Sequence, residues 1–272
     1  MNIEKVLSKS LGDFYYNVKH DSGLDIFLYP NEKKNSTYAI FGTKYGSVDN
    51  CFKRSDEDKA ERVPEGIAHY LEHKLFESED EDAFERYART GASANAFTSF
   101  ENTCYLFSCT DKLYDSLEIL LDFVQSPYFT DETVQKEQGI IAQEIKMYDD
   151  DPNWKVMFNN LRAMYHEHPI KEDIAGTVES ISKITPDYLY RCYNTFYNLH
   201  NMALCIVGNF DKDKVLEVCD KMLKKAEPVY VERVFPEEPD NIVSDYIEEK
   251  LAVASPIFQL GFKESVKQDN RT

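Results

Sequence analysis

The segment Gly66-Ile67-Ala68-His69-Tyr70-Leu71-Glu72-His73-Lys74-Leu75-Phe76 sets the expectations for the rest of the chain. An α-helix turns by roughly 100° per residue, so imidazoles four positions apart differ by about 40° and share a face. Glu72 follows His69 by three residues and precedes His73 by one, which brings its carboxylate to the same side and leaves Leu71 and Leu75 for packing. Pro64 and Gly66 mark the start of this helix, since a first-turn proline lacks only an N–H that would have no helical partner. The order H-x-x-E-H is the inverse of the zincin motif. Two neutral imidazoles bind zinc and leave coordination positions open, and a carboxylate beside the metal can take a proton from water. A lone helical histidine is more often a packed core or surface residue than a ligand, and it is the combination that points to one Zn²⁺ per chain.

Working outward, Phe14 to Leu28 alternates apolar and polar residues around His20-Asp21-Ser22-Gly23 and predicts a β-hairpin; Ser36 to Tyr45 predicts a third strand. The polar stretch Val48 to Arg62 is expected to be a loop. Beyond the motif helix, a helix over Glu81 to Arg89 stops at Gly91, and strands are predicted at Ser93 to Thr98 and Thr103 to Ser108. Helices follow at Lys112 to Gln125, Asp131 to Asp149, Trp154 to Tyr165 and Asp187 to Tyr197, with Ile170 to Thr185 as a loop-rich connection. A buried strand at Asn201 to Gly208 and an amphipathic helix at Asp211 to Lys225 complete the pattern. This order predicts an α+β fold, an antiparallel or mixed sheet with helices packed on one face. Pro228, Pro236 and Pro239 punctuate an acidic stretch, so residues 1–230 are expected to form one domain and 231–272 a linker with the first strand of a second.

Glu137 and Glu144, seven residues apart, lie on one face of the Asp131 to Asp149 helix, which also presents Ile140, Ile141 and Ile145. Either carboxylate could complete a site that has two imidazoles, and spacing alone does not separate them. Asp149-Asp150-Asp151-Pro152 ends that helix with charges that oppose its macrodipole.

Composition limits the function classes. Apolar residues make up 42% of the 272 and charged residues 29%, as in ordinary globular proteins. Acidic residues outnumber basic ones 49 to 31, a net charge of −18 that argues against a nucleic-acid partner. The acidity fits a solvated surface, the alternative being a field that draws in basic peptides. Cys51, Cys104, Cys109, Cys192, Cys205 and Cys219 are scattered without a C-x-x-C, as expected of reduced thiols in a cytoplasmic protein. The N-terminus begins no apolar leader and no run approaches a membrane span, so no membrane association is expected.

Three motifs together, His69 to His73, Gly91-Ala92-Ser93-Ala94-Asn95-Ala96-Phe97-Thr98-Ser99 and Glu137-Gln138-Gly139-Ile140-Ile141-Ala142-Gln143-Glu144, resemble those of the insulinase (pitrilysin) zinc peptidases, and most of all bacterial YmfH-type members. The family includes insulin-degrading enzyme and the mitochondrial processing peptidase, and the likeness runs from about Asp13 to Lys225. The resemblance implies His69, His73 and Glu144 as zinc ligands, Glu72 as general base, and Glu137 as a neighbour that orients a ligand histidine, with Glu137 the competing third ligand. It implies that Asn95, Ala96 and Phe97 form a strand edge on which an extended peptide is laid, with Phe97 either walling a pocket or belonging to the core. The implied activity is zinc-dependent endopeptidase action on peptides or short unfolded segments; the alternative is a non-catalytic peptide-binding or assembly subunit. A metal lyase that uses H-x-x-E-H is disfavoured by Ala94 to Thr98 and by the distant Glu144. Family members close two related halves around the substrate, and a Tyr and an Arg of the second half help hold the peptide. Glu248 to Lys263 resembles the opening strand of such a half, so the expected partner is the rest of a longer chain or a homologous subunit, as a dimer.

Overall fold

The computed structural model describes residues 1–10 and 12–264. In chain order the elements are β1 (Asn2–Ser8), β2 (Asp13–Lys19), β3 (Asp25–Pro30), β4 (Thr37–Thr43), β5 (Cys51–Arg54), β6 (Glu61–Arg62), α1 (Ile67–Leu75), α2 (Ala83–Thr90), β7 (Ser93–Thr98) and β8 (Thr103–Cys109). They continue with α3 (Leu113–Val124), α4 (Asp131–Asp149), α5 (Pro152–Met164), α6 (Val178–Ile181), α7 (Pro186–Phe196), β9 (Met202–Gly208), α8 (Lys212–Met222) and β10 (Val231–Arg233). The fold is α+β, as the element order predicts.

Seven strands form the main sheet in the order β1-β2-β3-β9-β4-β8-β7, with β3 and β9 parallel and every other neighbouring pair antiparallel. Strand alternation divides its faces. Ala39 and Phe41, Tyr105 and Phe107, and Leu204 and Ile206 are fully buried on the side where α1, α2 and α3 pack. Tyr38 and Val207, on the opposite face, are 40% and 37% exposed. Leu117, Leu120 and Leu121 of α3 are fully buried over β4 and β8, each such side chain contributing about 1.5–3 kcal/mol by leaving water.

Helix α1 is buried nearly all round. Of its nine residues only His73 is not, because β7, β8, α4 and α7 surround it. Its entry demands a glycine: Gly66 has φ 87°, and a Cβ there would lie 2.3 Å from the Ala175 carbonyl oxygen. Lys74, fully buried one position after His73, is neutralised by an ion pair with Glu77.

The structure departs from the pattern-based expectations where strands are polar and short. Asn2–Ser8, without apolar alternation, is the exposed edge strand β1. The segment expected as a loop over Val48 to Arg62 contains β5 and β6, which join β10 in a small sheet ordered β10-β5-β6. The β10 partner of β5 is non-local, which local pattern does not reveal. Val231–Arg233, at the start of the expected linker, pairs with β5, and Arg233 Nε donates to Asp49 Oδ1 at 2.6 Å. The α6 turn interrupts the Ile170 to Thr185 connection.

Residues 234–264 contain no helix or strand, so the strand expected over Glu248 to Lys263 is not formed. A strand takes its hydrogen bonds from a neighbouring strand, and among the described residues none pairs with Glu248 to Lys263. Residues 265–272, the end of the expected second-domain segment, lie outside the described residues. All six cysteines are free, and no helix among the described residues is long and apolar enough to cross a membrane.

Candidate metal centre

Helix α1 carries His69 and His73 on one side, their rings 4.6 Å apart between centroids. Helix α4 is started by a capping box in which the Thr130 and Thr133 side chains exchange hydrogen bonds with each other's backbone N–H. It lies against α1 through the fully buried Ile141 and a hydrogen bond from the Tyr70 hydroxyl to the Val134 carbonyl. That packing sets Glu144 between the imidazoles. Its Oε1 is 3.7 Å from His69 Nε2 and its Oε2 is 3.4 Å from His73 Nε2. One candidate donor atom from each of the three residues lies within 4.8 Å of the others.

This donor set fits zinc. Two imidazole nitrogens and one carboxylate are a catalytic zinc set, and ligands about 2.0–2.1 Å from a tetrahedral ion stand about 3.3 Å from one another. The observed 3.4 and 3.7 Å separations lie near that value. The geometry also separates the two carboxylates that spacing left level. Glu137, two turns before Glu144, meets the outer nitrogen of His73, with Nδ1 to Oε1 at 3.0 Å. His69 Nδ1 is buried and has no comparable partner among the described residues.

The electrostatics follow from this crowding. The approach of His69 to Glu144 outweighs burial and, with His73 and a hydrogen bond from Tyr148, holds the Glu144 carboxyl at about 2. Burial pulls the His73 imidazole down, but the Glu137 hydrogen bond and the charges of Glu72 and Glu144 more than offset it and leave it raised. Glu72, 8% exposed, is raised above the ordinary carboxylate value by burial, which His69, a Thr98 hydrogen bond and His73 only partly counter. The Thr98 hydroxyl donates to Glu72 Oε2 at 2.6 Å. The motif spacing by itself assigns Thr98 no role. The available signal was strand alternation, which puts Thr98 on the α1 side with Ala94 and Ala96.

The same alternation puts Phe97 across from Cys104 on the face away from α1, where it is 43% exposed and so is not part of the core. Asn95 and Ala96 do border the site. They help line a cavity of about 620 Å³ together with Glu72, His73, Phe76, Phe84, Glu137 and Ile140. Among the described residues β7 ends the main sheet with β8 as its one strand partner, so no strand covers its outer edge, where the Ala96 N–H donates to Asn95 Oδ1 at 2.9 Å. Tyr148 and Trp154, unnoticed in the sequence, stack beside Glu144 with ring centroids 4.5 Å apart. Tyr148 was detectable as the residue one helical turn after Glu144.

Known proteins similar to this chain give its family. Over 264 residues the chain is 47% identical to "Uncharacterized zinc protease YmfH" of Bacillus subtilis strain 168, a match covering 96% of this chain and 62% of that protein. A crystal structure of an M16-like peptidase from Alicyclobacillus acidocaldarius superposes with a TM-score of 0.81 and 43% identity, over 90% of this chain and 56% of the other. The first half of the periplasmic protease PqqL of Escherichia coli shares the fold, with a TM-score of 0.65 and 23% identity over 82% of this chain and 48% of that one. The chain thus spans about three fifths of the longer Bacillus and Alicyclobacillus proteins. Residues 56–178 match the model for "Insulinase (Peptidase family M16)" and residues 183–271 the model for "Peptidase M16 inactive domain". With both models matched in sequence order and a zinc protease as a near relative, the chain belongs to the insulinase family of peptidases, family M16.

Proposed function

We propose that this chain is the metal-holding, catalytic half of a zinc endopeptidase that acts on peptides or short unfolded segments. The observation that carries the proposal is the convergence of His69, His73 and Glu144 beside Glu72, next to a sheet edge that no described strand covers. His69 and His73 would hold the ion through Nε2 and Glu144 through its carboxylate, while Glu137 accepts from His73 Nδ1 and fixes that ring's tautomer. A zinc ion held there supplies a Lewis acid for the scissile carbonyl and acidifies water.

The chain's own residues do the rest. An extended peptide pairs with the outer edge of β7, whose backbone groups bind without regard to sequence, while the adjoining cavity receives one of its side chains. Glu72 accepts a proton from water as it attacks the carbonyl carbon and returns it to the leaving nitrogen. Thr98 holds the Glu72 carboxylate in place, and the burial that raises its pKa makes it a better acceptor of the water proton.

The relatives are longer, and we propose that a second half, from a longer chain or a homologous subunit in a dimer, covers the cleft. The six free cysteines support a cytoplasmic setting. A non-catalytic binding subunit is the alternative, and the complete set of Glu72 and three ligands favours the enzyme. Elemental analysis of protein purified without chelators tests the centre. About one zinc per chain is expected, lost in Glu144→Gln. No zinc after metal is added back would reject the catalytic proposal in favour of the binding subunit.

A further inference from the structure

Glu144 lies in the last third of α4, the part of a helix that frays most readily because its final carbonyls lack helical partners. Asp149 and Asp150 follow, and their charges oppose the macrodipole. A metal ligand placed here needs support from outside its own helix, and a connected set of contacts supplies it.

Tyr148, one turn beyond Glu144, donates its hydroxyl to Glu144 Oε1 at 3.0 Å. Its ring lies flat on the indole of Trp154, with centroids 4.5 Å apart and planes within 19°. Trp154 sits in the first turn of α5, which Asp151 caps by accepting from the Asn153 and Trp154 backbone N–H groups. The indole N–H donates to one oxygen of Asp173, and the other oxygen accepts from Ala175 N at 2.9 Å. Ala175 in turn is the residue packed against Gly66 at the start of α1. Glu144 is therefore linked through Tyr148, Trp154, Asp173 and Ala175 to the helix that carries the two histidines.

We propose that Tyr148 is a positioning residue for the metal centre, its hydroxyl setting the rotation of the Glu144 carboxylate while Trp154 and Asp173 hold the phenol ring. This rests on the metal-centre reading above. A carboxylate free to rotate must be ordered when it binds a cation, whereas one already held through Oε1 presents Oε2 to the ion at no such cost. Tyr148 needs no contact with a substrate to act in this way.

The test is Tyr148→Phe, which removes one oxygen and keeps the stacked ring. Zinc affinity, measured by competition with a chelator of known affinity, should fall about tenfold. The metal-free variant should melt within about 2 °C of the unmodified protein. The emission maximum of Trp154, the protein's one tryptophan, should not move. Trp154→Phe, which deletes the N–H to Asp173 but leaves the Tyr148 hydroxyl, should weaken zinc by less, about threefold. Zinc affinity within twofold of the unmodified protein in Tyr148→Phe would overturn the inference. So would a loss accompanied by a lower metal-free melting temperature and a shifted Trp154 emission, which would make Tyr148 a packing residue. An unmodified protein that bound no zinc would instead reject the metal centre itself.

Discussion

The metal centre and the segment after β10 behave in opposite ways. Around α1 and α4 nearly every polar group has a partner: His73 has Glu137, Glu72 has Thr98, Glu144 has Tyr148, and Lys74 has Glu77. In residues 234–264 the large apolar side chains face solvent, with Phe258 81% and Phe262 83% exposed. That segment is tied down at a few points, notably where Glu238 accepts from the backbone N–H groups of His166, Glu167 and His168 and from the buried Lys263. The contrast teaches that the parts which would bind a metal ion are complete within residues 1–233, whereas the later segment carries apolar surface that its own neighbours do not cover.

The sharpest way to break this comparison is Glu72→Gln. In a form of the protein that cleaves peptide, turnover should fall by about 10³-fold or more while zinc content stays at one per chain. A variant that keeps full activity would remove Glu72 from the chemistry. Next in size, Glu144→Gln should weaken zinc by about 100-fold or more and Glu137→Gln by about tenfold, as chelator competition would read. The reverse order would make Glu137 the ligand.

The apolar segment offers a smaller effect. Phe258→Asp with Phe262→Asp should leave zinc affinity within about twofold and reduce self-association at high concentration in sedimentation velocity. A large change in zinc affinity would join the two regions that the comparison separates. The smallest effect concerns the tie itself. Despite burial, which raises it, the Lys263 bond and three backbone donors hold the Glu238 carboxyl at about 2, below its ordinary 4.5. A depressed carboxylate contributes stability above the unfolded value that is lost as pH falls, here from about 4.5 through about 2, and amounts to about 1–2 kcal/mol after solvent screening. Thermal melts of Glu238→Gln should show less acid sensitivity across that window. Identical pH profiles would detach Glu238 from the fold's stability.

Most of the fold was legible locally. Phe14 to Leu28 alternates and holds both β2 and β3, while Ser93 to Thr98, Thr103 to Cys109 and Met202 to Gly208 alternate or run apolar and each form one strand of the main sheet. Asn2–Ser8, Cys51–Arg54, Glu61–Arg62 and Val231–Arg233 carry no local strand signal. They are polar or short, and what makes them strands is a partner, which for β10 is β5. Phe97 shows the same limit at the site. Its alternation with Ala96 and Thr98 is visible, but which of the two faces meets α1 is set by the packing of the helix on the sheet.

What the sequence determined by itself is the angular arrangement within each helix: His69, Glu72 and His73 toward one side of α1, and Glu137 and Glu144 on one side of α4, with the family that these motifs imply. The helical period sets those angles from residue spacing alone. Tertiary structure decided everything that requires a distance between elements. His73 and Glu137 are 64 residues apart in sequence, and only the packing of α4 on α1 places Glu137 at the outer nitrogen of His73 and Glu144 at the inner ones. Thr98 against Glu72, and the path from Tyr148 through Trp154 to Asp173, have the same origin: a period orders side chains about one axis, and contact requires two axes to be set against each other by the core between them.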